Sequence, residues 1–191
     1  MSSKLLGLGF LLACLLAGAP LRAASFSLTE QETEAAIQVG QRSVVSEEFG
    51  REWRVDGADG SLTVLTPFHR LTLAARKAAF KKGTLKPREI EQLLKEHQGK
   101  LLFWARLHGG RVDFARWYQP VLLVAGREAM RPSFVQNERT ALRQEDGRYL
   151  ARCLYSFPTE GLIPNGRVTL LIRDQDSKDV ARFTVDLGAM R

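Results

Sequence analysis

Three histidines, one cysteine beyond residue 14 and one aspartate-rich turn are the side chains whose types and spacing could do chemistry in this chain. His69, His97 and His108 show no HExxH spacing, and Cys153 has no second thiol near it to complete a zinc set, so no structural or catalytic metal centre is expected. His69 and His97 fall on apolar helical stripes, which predicts buried or boundary rings. Cys153 shares one face of a strand-like stretch with Tyr149, Ala151, Tyr155 and Phe157, which predicts a buried, inert thiol. Asp174, Asp176 and Asp179 could offer oxygens to calcium. Their spacing lacks the glycine and closing glutamate of an EF-hand loop, and Lys178 sits among them, so a hairpin turn is expected.

No catalytic constellation emerges from these residues. His108-Gly109-Gly110 resembles an esterase oxyanion loop, but no Gly-x-Ser-x-Gly supplies a nucleophile, and a turn is the expectation. With neither GxGxxG nor a phosphate loop, no cofactor is expected. An enzymatic alternative stays open only as a hydrolase assembled from distant residues, with a histidine beside a carboxylate and a serine or threonine.

Contact residues are more evident. Arg76, Lys77, Lys81, Lys82, Lys86 and Arg88 put six cations into 13 residues without one acid. Such a run could dock on an anionic envelope surface, or be a solvated face balanced by acids nearby. In residues 111–120, Arg111 and Arg116 interleave with Phe114, Trp117 and Tyr118, a pattern that suits a partner's hot spot or a sugar ring. Trp117 and Tyr118 are neighbours, so on a strand they point to opposite faces and one of them is exposed. No nucleic-acid module is recognisable.

The elements that must position these residues start with a helix at Thr66–Lys82, capped by Thr66, opened by Pro67 and stopped by Gly83. One stripe holds Leu71, Ala74, Ala75 and Ala78. A second holds His69, Leu73 and Phe80, so the helix should lie between two other layers. Residues 28–49 read as an earlier helix, with capping-box spacing at Ser27/Glu30 or Thr29/Glu32. Gly40 on its buried face predicts close approach to the alanine stripe. A short strand at Ser61–Leu65 precedes the central helix. A third helix runs from Pro87 to Gly99 with Ile90, Leu93, Leu94 and His97 on one face.

The period then changes. Leu101–Leu107, Val112–Trp117, Val121–Val124, a weaker Phe134–Leu142, Tyr149–Phe157, Val168–Ile172 and Ala181–Leu187 read as strands, with turns at Gly109-Gly110, Glu145-Gly147 and Asp174–Asp179. The expected class is α+β: about three N-terminal helices, within residues 24–100, packed on an antiparallel β-sandwich of residues 101–191, immunoglobulin-like in one arrangement, the two parts forming one compact unit. The strand cadence resembles that of many bacterial envelope modules, on pattern and without a specific motif.

Residues 1–23 read as a secretory leader: Lys4, an apolar run Leu5–Leu16 too short to span a bilayer, and a cut after Leu21-Arg22-Ala23. No other stretch has transmembrane length. The formal charge of +7 loses Lys4 and Arg22 with the leader and stays basic. The expected protein is therefore exported, periplasmic or extracellular, and non-catalytic, binding another protein or an anionic envelope surface. Leu11-Leu12-Ala13-Cys14 also resembles a lipobox, which makes a lipoprotein anchored through Cys14 the alternative. Intact mass of the N-terminus after export decides: a bare Ala24 is expected, and a diacylglyceryl Cys14 would replace the secreted reading with the anchored one.

Overall fold

A computed structural model describes residue 24 and residues 26–190. The leader and Cys14 lie outside the described residues. Helix α1 (Glu30–Arg42) starts at Thr29, whose hydroxyl accepts from the Glu32 N–H while Glu32 accepts from the Thr29 N–H, so the later of the two capping registers is the one used. It ends well before residue 49, because the carbonyls of Ser43, Val44 and Ser46 leave the helix to meet the Arg76 guanidinium. Gly50, with φ of 93°, turns the chain into a single 3₁₀ turn, Arg51–Trp53, that buries Trp53.

Strands β1 (Arg54–Gly57) and β2 (Gly60–Leu65) form a hairpin. The first was not expected from the sequence; four residues with mostly exposed side chains give no alternation to read. Helix α2 (Pro67–Phe80) follows, with the Thr66 hydroxyl accepting from the His69 N–H at 3.1 Å, and helix α3 (Pro87–His97) completes the helical set. Strands β3 (Lys100–Gly109) and β4 (Gln119–Val124) come next, then two fragments, β5 (Phe134–Gln136) and β6 (Leu142–Arg143), where one weak strand was expected. Strands β7 (Tyr149–Pro158), β8 (Arg167–Arg173) and β9 (Asp179–Asp186) close the chain.

The class is α+β, with helices ahead of most of the strands and all strand pairs antiparallel. One sheet runs β1-β2-β3-β7-β5, with β6 also paired to β7; the second runs β4-β8-β9. A division at residue 100 therefore passes through the larger sheet, between β2 and β3. The core lies between the sheets. From the larger come Leu101, Phe103, Ala105 and Leu107 opposite Phe157, Tyr155, Cys153 and Ala151; from the smaller come Leu122, Leu170, Ile172, Phe183 and Val185. Cys153 is buried as expected, and burial pushes its thiol pKa up, which keeps it protonated.

Residues 112–117 are not a strand. Three successive i+3 turns, closing at Phe114, Arg116 and Tyr118, carry the chain from β3 across to β4. The alternation that suggested a strand has another cause: the Phe114 ring folds back onto Gly109, where a Cβ would collide with it. The second stripe on α2 is also incomplete, because His69 is buried while Phe80 stands 75% exposed.

Gly40 of α1 meets α2 as its position implied. A Cβ there would stand 2.8 Å from the Ala75 Cβ and 2.9 Å from the Arg76 nitrogen, and would collide with the Thr72 carbonyl oxygen. Backbone cannot yield cheaply, so Gly40→Ala should lower stability by about 1–3 kcal/mol, although alanine is the better helix former by roughly 1 kcal/mol. Urea unfolding of the two proteins measures this; an equal or higher midpoint for the variant would mean that the helices are not held so close.

Candidate functional site

Helix α2 distributes its cations to three different fates. Arg76 is structural: its Nε and Nη2 donate to Ser43 and Ser46 carbonyls at 3.1 and 3.0 Å, and its guanidinium lies 4.4 Å from the Phe49 ring centroid. It closes the C-terminal end of α1. Lys77, Lys81, Lys82, Lys86 and Arg88 are exposed, and among the described residues none of them forms an ion pair. Glu89, next to this run, accepts from the Lys86 backbone N–H.

Phe80 stands 75% exposed within this ring of lysines, and Val45, in the loop that holds Arg76, is 90% exposed. The helix ends in a Schellman motif: the Gly83 N–H donates to the Ala78 carbonyl and the Lys82 N–H to that of Ala79, each at 2.9 Å. The left-handed position within it is taken by Lys82, with φ of 58°, and not by glycine. An L-residue there costs roughly 1–2 kcal/mol.

The aromatic segment separates as expected into one exposed and one packed ring, through turns rather than strand alternation. Trp117 is 57% exposed, with the Arg116 guanidinium 4.8 Å over its ring. Tyr118 packs edge-on against Phe114, and its carbonyl accepts from Asn137, which in turn accepts from the Tyr155 hydroxyl. Burial raises the Tyr118 pKa, with the Asp174 charge adding to the effect. The aspartate turn folds against this segment, and the two share a shallow hollow of about 390 Å³. Asp174 there accepts from the Asp176 and Lys178 N–H groups, and Asp179 pairs with Arg173 and Arg182, so these carboxylates already hold the turn together.

A second groove of about 390 Å³ lies on the outer face of the large sheet, and sequence reading did not find it. Its lining comes from α2 (Arg70), α3 (His97), β3 (Leu102, Trp104), β7 (Arg152, Leu154) and the chain after β5 (Glu138). Arg70 Nε donates to His97 Nε2 at 3.0 Å, so the imidazole carries its proton on Nδ1, which is buried and has no hydrogen-bond partner among the described residues. Burial, then the Arg70 charge, lowers the His97 pKa and keeps the ring neutral. Glu138 accepts from both the Arg152 backbone N–H and its guanidinium, at 2.7 and 2.9 Å, which lowers its pKa. The available signal was the apolar residues on both faces of β3, Leu102 and Trp104 as well as Leu101 and Phe103; an outer face open to plain solvent would be polar.

The third ring system is internal. His69 donates through Nδ1 to the Val64 carbonyl at 3.0 Å and stacks on Trp53 with centroids 4.2 Å apart. Among the described residues, the His69 ring bonds to the Val64 carbonyl and the His97 ring accepts from the Arg70 guanidinium. No family model matches this chain, and no curated protein matches its sequence.

Burial lowers the His69 pKa from 6.5 to about 4; the Val64 hydrogen bond opposes this and the Arg70 charge reinforces it. Between those values the unfolded chain binds a proton that the folded ring refuses. Stability should therefore be lost as pH falls from about 6.5 towards 4 and the loss should level off below, by on the order of 3 kcal/mol from this residue. His97 acts in the same direction. Urea unfolding across that window checks it: His69→Gln should flatten the slope, and an unchanged slope would remove His69 as its source.

Proposed function

We propose that this is an exported, non-catalytic protein of the cell envelope that docks on an anionic bilayer surface through the C-terminal tip of α2. The observation that carries the reading is Phe80, three-quarters exposed among Lys77, Lys81 and Lys82, none of them ion-paired among the described residues. Lysines near an anionic leaflet each gain roughly 1 kcal/mol, and an exposed aromatic ring can enter the interfacial layer. Among the described residues no helix is long and apolar enough to cross a membrane, so the contact proposed is peripheral. An acidic polysaccharide would use the same lysines but would have little use for the phenyl ring.

The position of Lys82 supports the same reading. Glycine would relieve the left-handed strain there, so a lysine at this point favours a contact over stability.

Co-sedimentation with vesicles tests this. The protein should bind vesicles containing phosphatidylglycerol and not pure phosphatidylcholine, and added salt should release it. Lys81→Glu with Lys82→Glu should weaken binding at least tenfold, and Phe80→Ser should weaken it without altering its salt dependence. Lys82→Gly should raise stability by about 0.5–1 kcal/mol while binding more weakly. Equal binding to neutral and anionic vesicles, or indifference to the charge reversal, would overturn the proposal.

A further inference from the structure

The groove on the outer face of the large sheet holds a charge with no counter-charge. Arg70 is half-buried, and among the described residues its guanidinium meets no carboxylate; its hydrogen-bonding partner is the neutral imidazole of His97. The other charges lining the groove, Glu138 and Arg152, satisfy each other. Apart from Gln136, the remaining lining is apolar: Leu65, Leu102, Cys153 and Leu154, with Trp104 43% exposed. A partly desolvated cation beside an apolar hollow is complementary to one kind of molecule, a small anion with an apolar body.

We infer that this groove binds a small amphiphilic monocarboxylate, its head group on Arg70 and its chain along Leu102, Leu154 and Trp104. A guanidinium offers two parallel N–H groups to a carboxylate, and the bond from Nε to His97 leaves the Nη atoms for that purpose. His97 is the positioning residue, since its Nε2 fixes the plane of the guanidinium. Gln136 lines the groove from β5. This site is independent of the proposed docking tip. Arg70 and Phe80 are ten residues apart on α2, about 15 Å along the helix axis, so losing one leaves the other in place.

Isothermal titration of the full chain with octanoate, octan-1-ol and octylammonium tests the inference. Octanoate should bind at least tenfold more tightly than the alcohol, and the ammonium should not bind. Arg70→Met should remove the preference for octanoate over octanol while leaving octanol unchanged, and Trp104→Ala should weaken both. Gln136→Glu, an exposed substitution that spares the fold, should weaken octanoate at least tenfold and spare octanol. His97→Gln should reduce the carboxylate preference without altering octanol binding. Equal affinities for octanoate and octanol in the unaltered protein, or octanoate binding that survives both Arg70→Met and Gln136→Glu, would overturn it.

Discussion

The ten-residue ladder between β3 and β7, from Lys100 opposite Pro158 to Gly109 opposite Tyr149, is the constraint on which the rest of this structure depends. Side chains alternate across a strand, so one register fixes two surfaces at once. Inward it sets Phe103 edge-on to Phe157, with Ala105 beside Cys153, against the smaller sheet. Outward it sets Leu102, Trp104, Leu154 and Arg152 along the groove. A slip of β3 by one residue would bury Trp104 and expose Phe103, and the same slip of β7 would bury Arg152 and expose Tyr155. Core and groove therefore stand or fall together.

The helices are attached to this ladder through β2, which pairs with β3 and leads directly into the Thr66 cap of α2. The first turn of α2 is pinned by His69, which reaches back to Val64 and lies flat on Trp53. From there the helix has neighbours on two sides, as its paired apolar stripes implied. Gly40 brings α1 onto one side, and Arg70 meets His97 of α3 on the other. Six positions separate Arg70 from Arg76, which at about 100° per residue points them to different sides of the helix. Each is consumed, or held ready, by a different neighbour.

What could be read from the sequence was local. Thr66-Pro67, the Thr29/Glu32 spacing and Pro87 mark helix starts through hydrogen bonds made within one turn, and all three helices begin where those residues stand. Gly40 was legible because a glycine on a buried helical face has few other uses. Val112–Trp117 was misread because Phe114 takes its position from Gly109 behind it, a contact that alternation cannot express. The run at 76–88 was visible as charge, but the role of Arg76 depends on carbonyls some thirty residues earlier, and no spacing rule reports them. The groove was illegible for the same reason, being assembled from two helices and four strands with the chain that follows β5.

The end of α2 is the place where local stability and the observed residues part company. Lys77 and Lys81 in the last turn suit the negative end of the helix, worth roughly 0.3–1 kcal/mol each at low salt. Neither Phe80 nor Lys82 has such an account. An exposed phenyl ring forgoes burial worth about 1.5–3 kcal/mol, and the left-handed lysine adds strain of similar order. Both departures fall within three consecutive residues, at the point where the unpaired cations are densest. A surface built for stability alone would place a polar side chain at position 80 and glycine at position 82. A contact that combines charge attraction with shallow apolar burial would choose what is found here, and that is why the docking proposed above is placed at this tip rather than at the less exposed ring of Trp117, already covered by Arg116.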